Sequence, residues 1–325
     1  MKAASAVVAL SLTVSAFAVS GAHATPLRTA VDASSWERLC TPKNKGLEEL
    51  SGLTISDGKI YAIGDSGTDD RVAELTNQCD VARWISVPVP RTDVEDLGST
   101  PDGTLWLADI GDNKSVRSNI ALIPMSKAGT TSGTRRLMYP DGAHNAEALL
   151  ISRTGTPVIV TKDFSGTAGV YVPASATTVD QLSNSVVNPL RKAGSITFSR
   201  TTTPGGYKGS DGTIAVTGGA VSHDGTVAAL RTYSDVYLYS APDGDLVSAL
   251  TSSTPVRVPL PSQPQGEAIA FTADGDLLSG SEANGGSLPP ILILRGAADL
   301  VRPGDGGTGG GTGGSTDRLP SLFGS

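Results

Sequence analysis

The stretch Gln265-Gly266-Glu267-Ala268-Ile269-Ala270-Phe271-Thr272-Ala273-Asp274-Gly275 joins an acidic start, an alternating apolar strand and an Asp-Gly turn. It recurs. Glu147-Ala148-Leu149-Leu150-Ile151-Ser152 runs to Gly155, Glu95-Asp96-Leu97-Gly98-Ser99 runs to Asp102-Gly103, and Ser51-Gly52-Leu53-Thr54-Ile55-Ser56 runs to Asp57-Gly58. A fifth copy, Thr217-Gly218-Gly219-Ala220-Val221-Ser222-His223-Asp224-Gly225, keeps the turn but starts on Thr217 instead of Glu.

The turn glycines, at 58, 103, 155, 225 and 275, lie 45, 52, 70 and 50 residues apart. Blades of WD40 and kelch propellers repeat at about 40–50 residues, so the period points to a β-propeller. After each turn comes a second apolar strand ending on a polar group, at Asp65, Asp109, Lys162, Arg231 and Glu282. Two strands joined by a tight Asp-Gly turn form a hairpin. Further strand patterns follow each hairpin, giving an all-β fold: a single β-propeller of five blades, each a four-stranded antiparallel sheet. A sixth blade would need another hairpin in the long third interval, where residues 182–190 are too polar to supply one. A short strand over residues 34–40 precedes the first repeat, and the last repeat has one good strand left, Pro290-Ile291-Leu292-Ile293-Leu294. The N-terminal strand is therefore expected to close the last blade, which removes exposed edges.

The first 24 residues read as a secretory signal: Lys2, an apolar run over residues 6–19, then Ala22-His23-Ala24 in the A-x-A form. The apolar run falls short of the ~20 residues that cross a bilayer. The sequence thus divides into a signal peptide (1–24), a propeller domain (25–300) and a Gly/Thr-rich flexible tail (301–325), and the chain is expected to be secreted and extracellular. No later segment reads as a membrane span. The net charge is −7, with no cluster of Lys or Arg, which argues against nucleic acid as a partner. By charge, cations or cationic surfaces fit better; the expected partner at the binding mouth is a small polar or anionic ligand, or a cell-surface component. Cys40 and Cys79, the only two cysteines, are expected to form a disulfide in an oxidising compartment.

Hairpin geometry decides where the charges go. The start of the first strand and the end of the second lie at the same edge, and the first strand of a blade lines the central channel. Glu95, Glu147 and Glu267 should therefore ring one mouth, joined by Glu49 if the first repeat carries an extra residue. Asp65, Asp109, Lys162, Arg231 and Glu282 stand around them, and Asp93, His144 and Gln265 fall just upstream at the same mouth. Crowded carboxylates are relieved by a cation or a raised pKa. The donors are oxygens, so Ca²⁺ is the expected cofactor, with Glu95, Glu147 and Glu267 as metal ligands and Asp65, Asp93, Asp109, Gln265 and Glu282 as ligand-binding residues. His144, Lys162 and Arg231 are the catalytic candidates. The turn residues Asp57, Asp102, Asp224 and Asp274 read instead as turn caps. Gly64-Asp65-Ser66-Gly67 matches a serine-protease nucleophile segment only in part, and a Ser66–His144 esterase pair would lack a third member to orient the imidazole.

The segments Asp109-Ile110-Gly111-Asp112-Asn113, Asn145-Ala146-Glu147-Ala148-Leu149, Val216-Thr217-Gly218-Gly219-Ala220 with Ala229-Leu230-Arg231-Thr232-Tyr233, and Gln265-Gly266-Glu267-Ala268-Ile269 together resemble a family of secreted bacterial β-propeller proteins. The likeness spans residues 47–294. More distantly, the repeat is similar to the Ca²⁺-dependent propellers, both the phytase-like and esterase-like-phytase proteins and the gluconolactonase and paraoxonase group. That resemblance implies metal contacts among Glu95, Glu147 and Glu267, with Lys162 and Arg231 facing an anionic substrate. Thr217, the count of five blades and the lack of a phytase-type Lys/Arg cluster depart from it. Two functions follow: a binding module holding a divalent cation and a polar ligand at an acidic mouth, or a Ca²⁺-dependent hydrolase acting on a phosphoester, lactone or ester there.

Overall fold

The computed structural model describes residues 31–302 apart from Ser66, Ala176 and Gly205. The expected signal peptide, the expected tail beyond Arg302 and the Ser66 half of the conceivable esterase pair lie outside the described residues.

Among the described residues, twenty strands follow one another with one short α-helix. After β1 (Trp36–Cys40) come β2 (Leu50–Ser56), β3 (Lys59–Gly64), β4 (Arg71–Leu75) and β5 (Val81–Ser86), which pair in that order as a four-stranded antiparallel sheet. Next are β6 (Asp96–Ser99), β7 (Leu105–Asp109), β8 (Ile120–Met125) and β9 (Arg135–Met138), then β10 (Ala146–Ile151), β11 (Pro157–Thr161), β12 (Thr167–Pro173) and β13 (Asn188–Thr197). These two antiparallel sets join at their outer edges by a short parallel pairing of Asn188 and Pro189 with Leu137 and Met138, making one eight-stranded sheet. A further sheet holds β14 (Val216–Val221), β15 (Val227–Thr232), β16 (Asp235–Ser240) and β17 (Val256–Pro259), with helix α1 (Leu246–Ser252) between its last two strands. The last sheet orders β18 (Gln265–Phe271), β19 (Leu277–Glu282) and β20 (Ile291–Leu294) and is completed by β1, as expected. The seven residues of helix α1 lie between two expected strands, in a stretch to which the sequence analysis assigns no element.

The hairpin strands are apolar on both faces because each sheet packs between two others. Five apolar clusters fill the spaces between successive strand sets, and the fourth joins the first set (Leu53, Ala62, Ala73) to the last (Ala268, Leu278, Ile293), so the chain closes on itself. The first strands of the sets touch in a cycle: β2 with β6, β6 with β10, β10 with β14, β14 with β18 and β18 with β2. These five strands line a central channel in the manner of a β-propeller. The Cys40–Cys79 disulfide is present and ties the closing strand β1 to the turn after β4. Among the described residues, no helix is long and apolar enough to cross a membrane.

Candidate functional site

Each channel strand carries an irregularity at the same place. Register slips between Leu50 and Gly52, between Ala146 and Ala148, between Val216 and Gly218, and between Gly266 and Ile269. In β6, the Glu95 amide and Asp96 both face Ala108 of β7. A bulge places an extra residue on one strand and re-aims its side chain. The residues so placed are Ser51, Glu95, Glu147, Thr217 and Glu267, all buried. Ser51, and not Glu49, is thus the member from the first repeat. Ser51 and Thr217 turn their hydroxyls to the carbonyls of Glu95 and Gly266, at 2.6 and 3.0 Å.

Around the three glutamates stand the residues of the hairpin ends. Asp65, Glu95 and Glu267 each bring one carboxylate oxygen within 4.8 Å of the other two, and Glu49, Asp65 and Glu282 do the same. Asn145 and Gln265, each two residues ahead of a glutamate, donate to Glu147 Oε1 at 3.4 Å and Glu267 Oε1 at 3.2 Å. Lys162 ion-pairs with Glu147, and its ammonium lies 4.9 Å from the centre of the Tyr233 ring. Asp93 approaches Glu95 under Gly111, where a Cβ would fall 2.3 Å from Glu95 Oε1 and 2.4 Å from Asp93 Oδ2. Glycine is needed there for the loop to pass over both carboxylates.

Several oxygens in this cluster meet no donor. Glu147 Oε2, Glu267 Oε2 and Glu282 Oε1 are buried without a hydrogen-bond partner among the described residues. Glu282 instead lies against the carboxyls of Glu267 and Glu49, contacts that become hydrogen bonds only when one carboxyl holds a proton. Proton affinities rise accordingly. Burial, with the charges of Glu147, Glu267 and Asp93, lifts Glu95 well above the usual carboxylate range. Burial pushes Glu147 up to about 8 even against the pull of Lys162. Burial and then Glu267 push Glu282 further still, and burial also raises Asp93. Burial works against the Lys162 ammonium, but Glu147 and Glu267 outweigh it and hold its pKa well above normal.

An oxygen-only donor set suits a hard cation such as Ca²⁺. Two oxygens on one Ca²⁺ at ~2.3–2.6 Å can lie at most about 5 Å apart. Both carboxylate triads meet that limit, and their donor-less oxygens are the atoms a cation would satisfy.

Of the expected residues, Glu95, Glu267, Asp65 and Glu282 come together, with Gln265 and Asp93 beside them. Glu147 shares the mouth but spends one oxygen on Lys162 and Asn145. Asp109 does not face the cluster with free oxygens: they accept from the amides of Thr92 and Asp93 at 3.2 and 2.9 Å, and Arg117 pairs with it at 2.9 Å. Arg231 is wholly buried. Its guanidinium donates to the carbonyls of Thr232, Ala268 and Gly280, to Ser279 Oγ and to Gln263 Oε1, and burial lowers its pKa to about 9. It braces two sheets and offers nothing to a ligand. His144 turns to Asp141 and Tyr171, each at 3.0 Å, and packs edge-on to Tyr139.

One residue escapes the sequence reading. Asp96 follows Glu95 and is wholly buried, accepting from the amides of Leu97 and Leu149 at 2.8 Å and of Gly219 at 3.3 Å. Its carboxylate thus spans the channel from β6 to β10 and β14, and burial raises its pKa to about 7. The corresponding positions in the other channel strands are Gly52, Ala148, Gly218 and Ala268, so a lone acid among small residues is the signal that could have marked it.

No protein-family model matches the chain, and no curated protein matches it. Solved structures similar to it include a luciferin-regenerating enzyme, at 14% identity over 75% of this chain and 76% of that one, with a TM-score of 0.42. A nidogen/laminin complex aligns at 10% identity over 76% and 85% of the two chains, with a TM-score of 0.41. A gluconolactonase from Xanthomonas campestris aligns at 11% identity over 75% and 71%, with a TM-score of 0.40.

Proposed function

We propose that this chain is an exported five-bladed β-propeller whose acidic mouth binds a divalent cation, Ca²⁺ first, and through it a small polar or anionic ligand or a cell-surface group of that chemistry. The observation that carries the reading is the meeting of Asp65 with the buried Glu95 and Glu267, the last of which keeps one buried oxygen, Oε2, without a donor among the described residues. Seven carboxyls (Glu49, Asp65, Asp93, Glu95, Glu147, Glu267 and Glu282) share the mouth with Lys162, which neutralises Glu147. Ca²⁺ takes 6–8 oxygens at ~2.3–2.6 Å, more than one triad supplies, so positions would remain for a ligand. Asn145 and Gln265 hold two of the glutamates in place, which lowers the ordering cost of binding. Export is supported by the Ala22-His23-Ala24 site and by the Cys40–Cys79 disulfide, which belongs to an oxidising compartment.

The second reading, a Ca²⁺-dependent phosphoesterase, lactonase or esterase, is favoured by Glu147 and Lys162. A carboxyl that titrates near neutral pH beside a buried ammonium is suited to proton transfer. A bound cation would polarise a substrate oxygen. Glu147 would exchange the proton, and Lys162 would face the developing negative charge. His144 and Arg231 have no part in this, given where their polar groups are spent.

Calorimetric titration of chelator-stripped protein with Ca²⁺, followed by assays on a phosphomonoester, a lactone and a carboxyl ester, separates the readings. Saturable Ca²⁺ binding without turnover carries the binding module. Turnover that disappears in chelator and in Glu147→Gln carries the hydrolase, and absence of Ca²⁺ binding contradicts both.

A further inference from the structure

The end of the channel opposite the acidic mouth opens into a cavity of about 390 Å³, within the range of small-molecule sites. Its lining is polar and apolar in similar measure, and the topology explains why. Every channel strand is the end strand of its sheet, so β2, β6, β10, β14 and β18 pair on one side only and turn the other edge to the channel. Such an edge presents backbone N–H and C=O groups that no ladder uses. Residues two apart along a strand face the same edge. The amides of Leu97, Leu149 and Gly219 point into the channel, where the Asp96 carboxylate takes them and forms the floor. Two residues on, Ser99, Ile151 and Val221 therefore face the same way. Ile55 does so too, since its carbonyl accepts from Ser99 Oγ at 3.3 Å, and Phe271 precedes its turn as Ile151 does. All five line the cavity. Apart from the Ile55 carbonyl, their backbone groups have no hydrogen-bond partner among the described residues.

The five hairpin turns form the rim, and their charges nearly balance. Asp57 ion-pairs with Lys127, and Asp224 with Arg302. Exposed Arg153 adds a positive charge, while Asp102 and exposed Asp274 add negative ones. Asp102 is also spent on the hydroxyls of Thr100 and Thr104. A rim of this kind selects neither anions nor cations.

We propose that this cavity binds a neutral cyclic polyol of monosaccharide size, lying across the channel at the level of Ile55, Ser99, Ile151, Val221 and Phe271. Five edges around one axis offer donors and acceptors pointing inward. A cyclic polyol carries hydroxyls that donate and accept around its perimeter, and C–H groups on its two faces. The hydroxyls meet the free backbone groups, and the C–H faces meet the apolar part of the lining, to which Leu53, Leu97, Leu149 and Phe271 contribute. The site is separate from the acidic mouth and needs no cation.

The test titrates the full chain, in chelator at pH 7, with glucose, with glucuronate and with tetrahydropyran-2-methanol, which keeps the ring of glucose without its ring hydroxyls. Saturable one-to-one binding of glucose is expected, at least about tenfold tighter than the stripped ring, because the latter leaves backbone groups unpaired. Glucuronate should bind no tighter than glucose. Val221→Pro, which deletes an edge amide outside the ladder, should weaken glucose roughly tenfold. Amide hydrogen exchange of the unsubstituted chain locates the site whether or not that variant folds: glucose should slow Ser99, Ile151, Val221 and Phe271 and leave Glu147 and Glu267 unchanged. No saturable glucose binding, equal binding of the stripped ring, tighter binding of glucuronate, or slowing confined to the acidic mouth would overturn the proposal. Because chelator is present throughout, failure here leaves the cation site untouched.

Discussion

Glu282 ends β19 with its carboxyl buried against those of Glu267 and Glu49. Without a cation it must hold a proton at neutral pH, because burial and Glu267 raise its pKa to about 11. The unfolded chain has no such penalty, so keeping this acid in the fold at pH 7 opposes stability. Glu282→Gln should therefore raise the unfolding free energy in chelator, by about 1–3 kcal/mol. The same change should shrink the gain that Ca²⁺ gives, since it removes a charged oxygen donor. Urea unfolding at pH 7 with and without Ca²⁺ reads both signs, and a variant less stable than the parent in chelator would show that the glutamate is stabilised by something other than a cation. Glu267, Glu95 and Glu147 were legible in the sequence because glutamate has no preference for turns yet recurs at the blade period. Asp96 was not, since one residue after Glu95 it reads as the beginning of an ordinary strand.

The bulge is the element that turns these residues into a site, and it also explains where sequence reasoning failed. Strand periodicity locates β2, β6, β10, β14 and β18 and their turns, but a one-residue slip in register leaves no mark in an apolar pattern. Aligning repeats by their acids put Glu49 in the ring, whereas the slip puts Ser51 there. The fate of Arg231 is decided in the same way. At the bulge of β18, a Cβ on Gly266 would lie 2.0 Å from Arg231 Nη2, and one on Gly218 would lie 2.2 Å from the Glu267 carbonyl oxygen. Gly266 thus opens the space into which the Arg231 guanidinium folds, while Gly218 lets the β18 backbone come close, so a strand end that reads as a free cation is buried in the fold. Gly266→Ala should displace the guanidinium and cost roughly 1–3 kcal/mol as overpacking. Thermal or urea unfolding checks this, and a variant as stable as the parent would mean that Arg231 is not held there.

At the scale of the whole molecule, closure of the strand sets into a ring gathers carboxyls that are far apart in sequence, and the stability of the ring depends on their protonation. Asp96 and Glu147 have folded pKa values raised to about 7 and about 8 from ordinary carboxylate values, and Glu95 is raised as well. A carboxyl with a raised folded pKa stabilises fully below its unfolded pKa and loses that contribution as pH rises through the folded value. In chelator the protein should thus lose stability steadily from about pH 4.5 to about pH 8, and Ca²⁺ should flatten that slope by taking the place of the protons. Flat stability over this window in chelator would contradict the crowding of charge at the mouth. The most direct test of the cation site is the thermal midpoint of the chelator-stripped protein at pH 8, scanned with and without Ca²⁺, beside the Glu95→Gln/Glu267→Gln double variant. A Ca²⁺-dependent rise in the parent that is absent from the variant is the predicted result; an unchanged midpoint in the parent, or an equal rise in the variant, would contradict it.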